Sequence, residues 1–255
     1  MRGGGHQDAQ QAERTIVVFT GDHGIGYARG KTSIYPAGTH VPLYVKGPGV
    51  KTGRVIGAPV SQMDFNPTFL EAFGLAPIEK THAKSLWPIL SGKSDALPDR
   101  RTIMAETHNS LMSAPGNKGD GTSARAVCDG RFYYIANLIQ TRTTLPEEKA
   151  INIGTGDGEY GDPGPQYAID LHDETVRQKT TQPLPYELLR QLCMGDAPKE
   201  ELYDLETDPW GVKNLIADPA QANTLARLRQ EFADWRQATG DRDVHPKTIA
   251  RRTQK

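Results

Sequence analysis

Two cysteines, Cys128 and Cys193, are all that the 255 residues contain. That is too few for a disulfide framework, and one bridge between them is neither required nor forbidden by the sequence. Apolar runs are short: none approaches the ~20 residues that a membrane-spanning helix needs. The N-terminal stretch MRGGGHQDAQQAER lacks the apolar segment of a secretory signal. Charge of either sign is scarce in net terms, at −1, so there is no field to draw nucleic acid or an anionic membrane surface, and neither is expected as a partner. Any charge-based chemistry must be local.

What is present suffices for a folded core, since 36% of the residues are hydrophobic, and the length fits one large domain or one domain with a smaller appendage. Residues 15–20 (TIVVFT) are β-branched and aromatic, the kind of run buried on both faces of a parallel sheet, and residues 41–45 (VPLYV) form a second such strand ending at the turn KGPG. Residues 62–74 (QMDFNPTFLEAFG) predict a short helix with Pro67 in its first turn, Asp64 or Asn66 as cap, Gly74 at its end, and Leu70 and Phe73 facing the sheet. A strand at 102–105 follows, then a hairpin pairing 124–127 with 131–135 across Cys128-Asp-Gly130. Residues 141–186 lose apolar periodicity and predict a long irregular insertion. Asp218 and Pro219 open a terminal helix over about 219–238, with Leu225, Leu228, Phe232 and Trp235 on one stripe. Trp87, Trp210 and Trp235 each sit beside apolar neighbours and are expected to pack. Residues 1–13 form a polar, glycine-rich lead-in, and 241–255 a basic tail.

The stretch that concentrates chemistry is FTGDHGIGYARGK, which begins where the first strand ends. In open sheets, ligands gather outside the carboxyl ends of strands, and adjacent glycines let a bound group approach the backbone. Asp22 and His23 side by side offer a carboxylate and an imidazole to a divalent cation. The dipeptide by itself equally fits a strand-to-loop cap. Lys31 fits either an anion contact or a solvated loop lysine. His108, after the strand at 102–105, fits either a substrate contact or a surface histidine, and His40 suits the entry to the second strand.

The larger pattern narrows these choices. TIVVFTGDHG, GKTSIYPAGTHVPLYVKGPGV and VSQMDFNPTFLEAFGL occur in order, followed by KSLWPIL at 84–90 and ELYDLETDP at 201–209 leading to Asn214-Leu215. This resembles the C-terminal part of the sulfatases in the alkaline phosphatase superfamily, and GKTSIYP with Thr107-His108-Asn109 looks most like the heparan N-sulfatase (sulfamidase) branch. The resemblance implies an α/β fold: a partial alkaline-phosphatase-like mixed sheet with flanking helices over residues 14–100, then a smaller C-terminal antiparallel sheet with a packed terminal helix over residues 101–240. It implies that Asp22 and His23 are metal ligands, with Ca2+ as the metal or Mn2+ or Zn2+ as alternatives. It makes Lys31 a catalytic, sulfate-contacting cation and gives His108 a place at the substrate.

The same resemblance exposes what is missing. The Cys-x-Pro-x-Arg or Ser-x-Pro-x-Arg segment, whose first residue becomes the formylglycine nucleophile of this family, does not occur here: Cys128-Asp-Gly-Arg lacks the proline and has its arginine one place early. The first pair of metal-binding aspartates has no counterpart before Thr15, and two ligands fall short of the ~6 oxygens a calcium site uses. The chain is therefore expected to be part of a sulfatase, acting on sulfated small molecules or saccharides, inactive alone, with the N-terminal half as a separate partner chain or lost by truncation. A non-catalytic sulfated-saccharide-binding remnant, or a phosphate or phosphonate monoester hydrolase on the same scaffold, are the alternatives. The family is often secreted, periplasmic or lysosomal, and this sequence carries no signal that chooses among these.

Overall fold

The computed structural model describes residues 11–24, 29–31, 33–97, 102–109, 122–139, 188, 192 and 197–241, with only the backbone at 108, 109, 122 and 139. The expected insertion at 141–186 and the tail at 242–255 lie outside these residues. The chain forms two compact units, one from residues up to Asp22 with Val41–Ile103, the other from His23–His40 with the chain from Met104 on. The architecture is α/β, with two antiparallel sheets and packed helices. Among the described residues no helix is long and apolar enough to cross a membrane.

The first unit is built on two short strands, β1 (Val17–Thr20) and β2 (Leu43–Lys46), with Val17 opposite Lys46 and Thr20 opposite Leu43. The expectation of parallel strands buried on both faces is corrected here. The pair is antiparallel and alternates in exposure, because a strand with one face packed turns every second side chain outward. Val17, Phe19 and Tyr44 are 51%, 62% and 69% exposed, and the Phe19 and Tyr44 rings sit 6.0 Å apart on that outer face. Val18 and Val45 turn inward, toward Phe65, Phe69, Leu86 and Trp87, around a gap of only ≈ 10 Å³. Behind them Leu86, Ile89 and Leu97 make the buried core of this unit, joined by Leu43, Ile56, Val60 and Phe65.

A 3-10 turn (Gln62–Asp64) leads into α2 (Phe65–Ala72); α1, in the second unit, is a single turn at Pro36–Thr39. Ser61 is the cap that starts the turn, rather than Asp64 or Asn66. Asp64 instead closes the capping box from its third position, accepting from the Ser61 amide at 2.8 Å and, 20 residues on, from the Lys84 amide at 2.8 Å. Backbone donors thus satisfy a fully buried carboxylate. Phe73 does not face the sheet: α2 stops at Ala72, Phe73 falls in the cap, and its ring is 62% exposed. The chain then reaches α3 (Trp87–Leu90), where Trp87 packs so closely on Gly49 that a Cβ there would sit 2.8 Å from the ring.

The second unit is built on a four-stranded sheet in the order β3 (Ile103–Asn109), β4 (Thr122–Cys128), β5 (Phe132–Ile139), β6 (Glu200–Asp204). The hairpin of β4 and β5 forms, but Cys128, expected in the turn, ends β4 opposite Tyr133, and residues 124–127 pair with 134–137 rather than with 131–135. Its central strand is buried on both faces, and the period-two alternation sends its residues to two different cores. Tyr133 and Ile135 join Ala124, Ala126 and Tyr203 against Ile34 and Tyr35. Tyr134 and Ala136 join Val127 and Leu202 against Leu225 and Leu228 of the terminal helix α4 (Ala222–Thr239). Asp218 caps the entry to that helix by accepting from the Ala220 amide, and Gly240, at φ 64°, ends it. Beyond the cap, the Asp241 side chain, 8% exposed, takes Arg125 at 2.7 Å and Arg236 at 3.1 Å. Trp210, expected to pack, is 59% exposed, because it lies on a turn past β6 rather than in the sheet.

Candidate functional site

The Asp-His-Gly turn begins as β1 ends, and the residue before it is pinned: the Gln62 side-chain amide donates to the Gly21 carbonyl at 2.5 Å. Asp22 and His23 both lie in the bend that follows, exposed at the surface. The His23 Nδ1 sits 2.7 Å from the Gly24 carbonyl oxygen. A carbonyl can only accept, so Nδ1 is the atom that carries a hydrogen here. A neutral imidazole protonated at Nδ1 can ligate a metal through Nε2. Gly24 is buried against α1: its amide donates to the Gly38 carbonyl at 3.0 Å, and a Cβ at this position would lie 1.9 Å from the Ala37 carbonyl oxygen. The glycine of the motif is thus required by a backbone contact.

Between that turn and α1 the loop passes through Arg29, at φ 58°, a left-handed conformation uncommon for a residue with a side chain. The guanidinium lies 3.6 Å from the centroid of the Tyr35 ring and 5.4 Å from that of Tyr203. Its Nη1 donates to the Gly211 carbonyl at 2.7 Å and its Nη2 to the Tyr203 hydroxyl at 3.1 Å. Glu201 stands 3.9 Å from Nη2 and accepts from the hydroxyls of Tyr35, at 3.0 Å, and Tyr203, and from the Asn137 amide at 2.7 Å. Burial raises the Tyr203 phenol above its ordinary pKa, which keeps it protonated as a donor to the carboxylate. Burial alone would lower the pKa of Arg29, but Tyr203, Tyr35 and Glu201 outweigh it and hold the guanidinium above its usual value. Cation–π contacts of such desolvated groups are worth about 2 kcal/mol or more. They offset a cost: the Arg29 Nε is buried and without a hydrogen-bond partner among the described residues.

Lys31 follows Arg29 and Gly30 directly and is half-buried, in the same unit as His23. His108 lies on β3, the edge strand of the sheet, and its side chain is outside the described residues. His40 caps the end of α1 instead of entering a strand, since β2 begins only at Leu43. The donors present fall short of a complete cation site: among the described residues no group of three or more His, Cys, Asp or Glu side chains is placed to hold a metal ion. Asp22 and His23 fit such an ion only as two contributed ligands. Sequence reasoning missed Arg29, Tyr35, Glu201 and Tyr203. The one available signal was the strand ELYD, where Glu201 and Tyr203 alternate with apolar Leu202 and so must share a face.

Known proteins resemble this chain in sequence and in fold. The family model described as Sulfatase matches residues 7–75. An ulvan-active sulfatase of Formosa agariphila is 29% identical over 238 residues, covering 92% of this chain and 35% of the relative. The human N-sulphoglucosamine sulphohydrolase is 30% identical over 249 residues, covering 92% and 44%. Among solved structures, a 2-O GAG sulfatase superposes with TM-score 0.57 at 23% identity, covering 90% of this chain and 37% of that one. The phosphonate monoester hydrolase of Silicibacter pomeroyi superposes with TM-score 0.55 at 23% identity, covering 91% and 37%. The fold is the α/β fold these hydrolases share. The chain is similar to members of the sulfatase family, and it spans 35% and 44% of the length of the two curated relatives above.

Proposed function

We propose that this chain supplies part of the active site of an enzyme that hydrolyses sulfate esters or N-sulfates of saccharides. The observation that carries the reading is the Asp22-His23-Gly24 turn, in which the His23 ring is held at Nδ1 by the Gly24 carbonyl. Asp22 and His23 are two ligands of a divalent cation, Ca2+ in the first instance and Mn2+ or Zn2+ otherwise. When bound, such a cation stabilises negative charge developing on the oxygens of the transferring group. Lys31 contributes a point charge to those same oxygens, and His108, on the edge strand β3, is the second contact to substrate. The human relative is named for an N-sulphoglucosamine substrate, and that supports a sulfated sugar here.

No Cys-x-Pro-x-Arg or Ser-x-Pro-x-Arg segment occurs in the 255 residues, so the chain alone is inactive, and the formylglycine nucleophile comes from a second segment or chain. The exposed face of Val17, Phe19 and Tyr44 is an apolar surface for that partner to cover. The test is co-production of this chain with a sulfatase N-terminal half carrying the nucleophile segment. Sulfate release from an N-sulfated glucosamine is expected, with loss on Asp22→Ala. Release unaffected by Asp22→Ala would overturn the assignment, and preferential turnover of phosphonate monoesters would move the chain to the other chemistry of this fold. Binding of the sulfated sugar with no release in the completed enzyme would mark a binding remnant.

A further inference from the structure

The loop that carries the proposed anion contact is a part of the C-terminal sheet's own core. Residues 23–40 group with the four-stranded sheet, Ile34 and Tyr35 are buried against Ala124, Ala126, Tyr133 and Ile135, and the Tyr133 hydroxyl donates to the Ile34 carbonyl at 2.7 Å. At the other end of this contact, two residues before Lys31, stands Arg29. Its side chain is only 6% exposed, sandwiched by two tyrosine rings and bonded to the Gly211 carbonyl.

We infer that Arg29 is the positioning residue for Lys31: through Tyr35, Tyr203, Glu201 and Gly211 the C-terminal sheet clamps Arg29 and thereby sets the place of the lysine that meets the oxyanion. The inference rests on the reading of Lys31 given above. Three observations converge on it. Arg29 holds a left-handed backbone conformation, which persists in a residue with a Cβ only when surrounding contacts impose it. Its guanidinium keeps two hydrogen bonds and a stacking contact, while Nε is without a partner among the described residues. Donors to Glu201 come from separated parts of the unit, among them Tyr35 in the loop, Asn137 on β5 and Tyr203 on β6. The carboxylate therefore ties the loop to the sheet at a fixed distance. Lysine could not replace Arg29, since a point-charge ammonium lacks the planar fork that stacks and donates in two directions at once.

The experiment uses the full chain with Arg29→Lys and Arg29→Ala, read by two methods. Hydrogen exchange followed by mass spectrometry reports on peptides covering residues 29–40, with residues 15–20 as internal control. Titration with inorganic sulfate reports the anion contact, with Lys31→Met as reference. Exchange at 29–40 at least tenfold faster in both variants, the control peptide unchanged, together with a sulfate affinity lowered about as far as in Lys31→Met, is the expected result. Unchanged exchange at 29–40 would overturn the clamp. Faster exchange with sulfate affinity intact would overturn its link to Lys31. Should the unsubstituted chain bind no sulfate, the oxyanion reading of Lys31 fails and the positioning role goes with it, while the exchange arm still decides whether Arg29 clamps the loop.

Discussion

The two sheets of this molecule obey the same alternation rule and come out differently. In the four-stranded sheet, Tyr133 and Ile135 point to one core and Tyr134 and Ala136 to another, and both faces of β5 are buried. In the two-stranded sheet, Val18 and Val45 are packed while Val17, Phe19 and Tyr44 are bare. A two-stranded ribbon is marginal on its own, and this one shows to solvent the very side chains that a β-propensity argument counts as core. The lesson is that the same apolar strand pattern reports where packing is demanded, not where this chain supplies it. The first unit leaves one face of its ribbon bare, while the second packs both faces of its central strand.

The sharpest way to break the contrast is to empty the second unit's core. Leu228 is fully buried under β5 and β6, and Leu228→Ala is expected to cost about 2–5 kcal/mol, read as a lower denaturant midpoint; a loss under about 1 kcal/mol would mean that the helix face is not the core it looks like. Next comes the close backbone contact behind the site. Gly24→Ala forces a Cβ onto the Ala37 carbonyl and is expected to cost about 1–3 kcal/mol, with faster amide exchange across residues 29–40; an unshifted melt would show that the turn relaxes freely.

Acid distinguishes the units further. Arg229 holds the Glu200 carboxylate below its ordinary pKa, and Arg131 does the same for Asp204, both in the second unit. A carboxylate with a depressed folded pKa stabilises fully above its unfolded value, about 4, and loses that contribution as pH falls through the folded value. Stability of the second unit should therefore drop on acidification below about pH 4, and Arg229→Ala should flatten that dependence, as followed by thermal melts from pH 7 downward. Equal acid sensitivity with and without Arg229 would remove Glu200 from the account. The smallest effect is expected in the first unit, where Phe19→Thr changes an exposed side chain. Its stability should stay within about 0.5 kcal/mol, read as an unshifted denaturant midpoint. A large stability loss would mean that Phe19 is covered after all.

Much of this was legible in the residues. The hairpin across Cys128-Asp-Gly130 and the capped terminal helix followed from local rules, because a turn glycine, an Asp-Pro entry and a three-four apolar spacing act over a few residues and need no distant partner. The Asp-His-Gly turn was visible for the same reason. Phe73 and Trp210 were misjudged because exposure depends on what lies opposite, and a helix that stops at Ala72 or a turn beyond a strand puts nothing there. Arg29 carries no signal in the sequence, since its hydrogen-bond partners at Tyr203 and Gly211 lie more than 170 residues away.

By itself the sequence determined the strands, the helix stripe, the motif turn and the likeness to the sulfatases, all of which rest on neighbours along the chain and on ordered short motifs. Only the tertiary structure decided that strands β1 and β2 run antiparallel with one face bare, that Gly24 is a backbone contact, and that Glu201 and two tyrosines enclose Arg29. Those facts depend on which segments meet in space, and long-range contacts between side chains leave no period or spacing in the sequence that forms them.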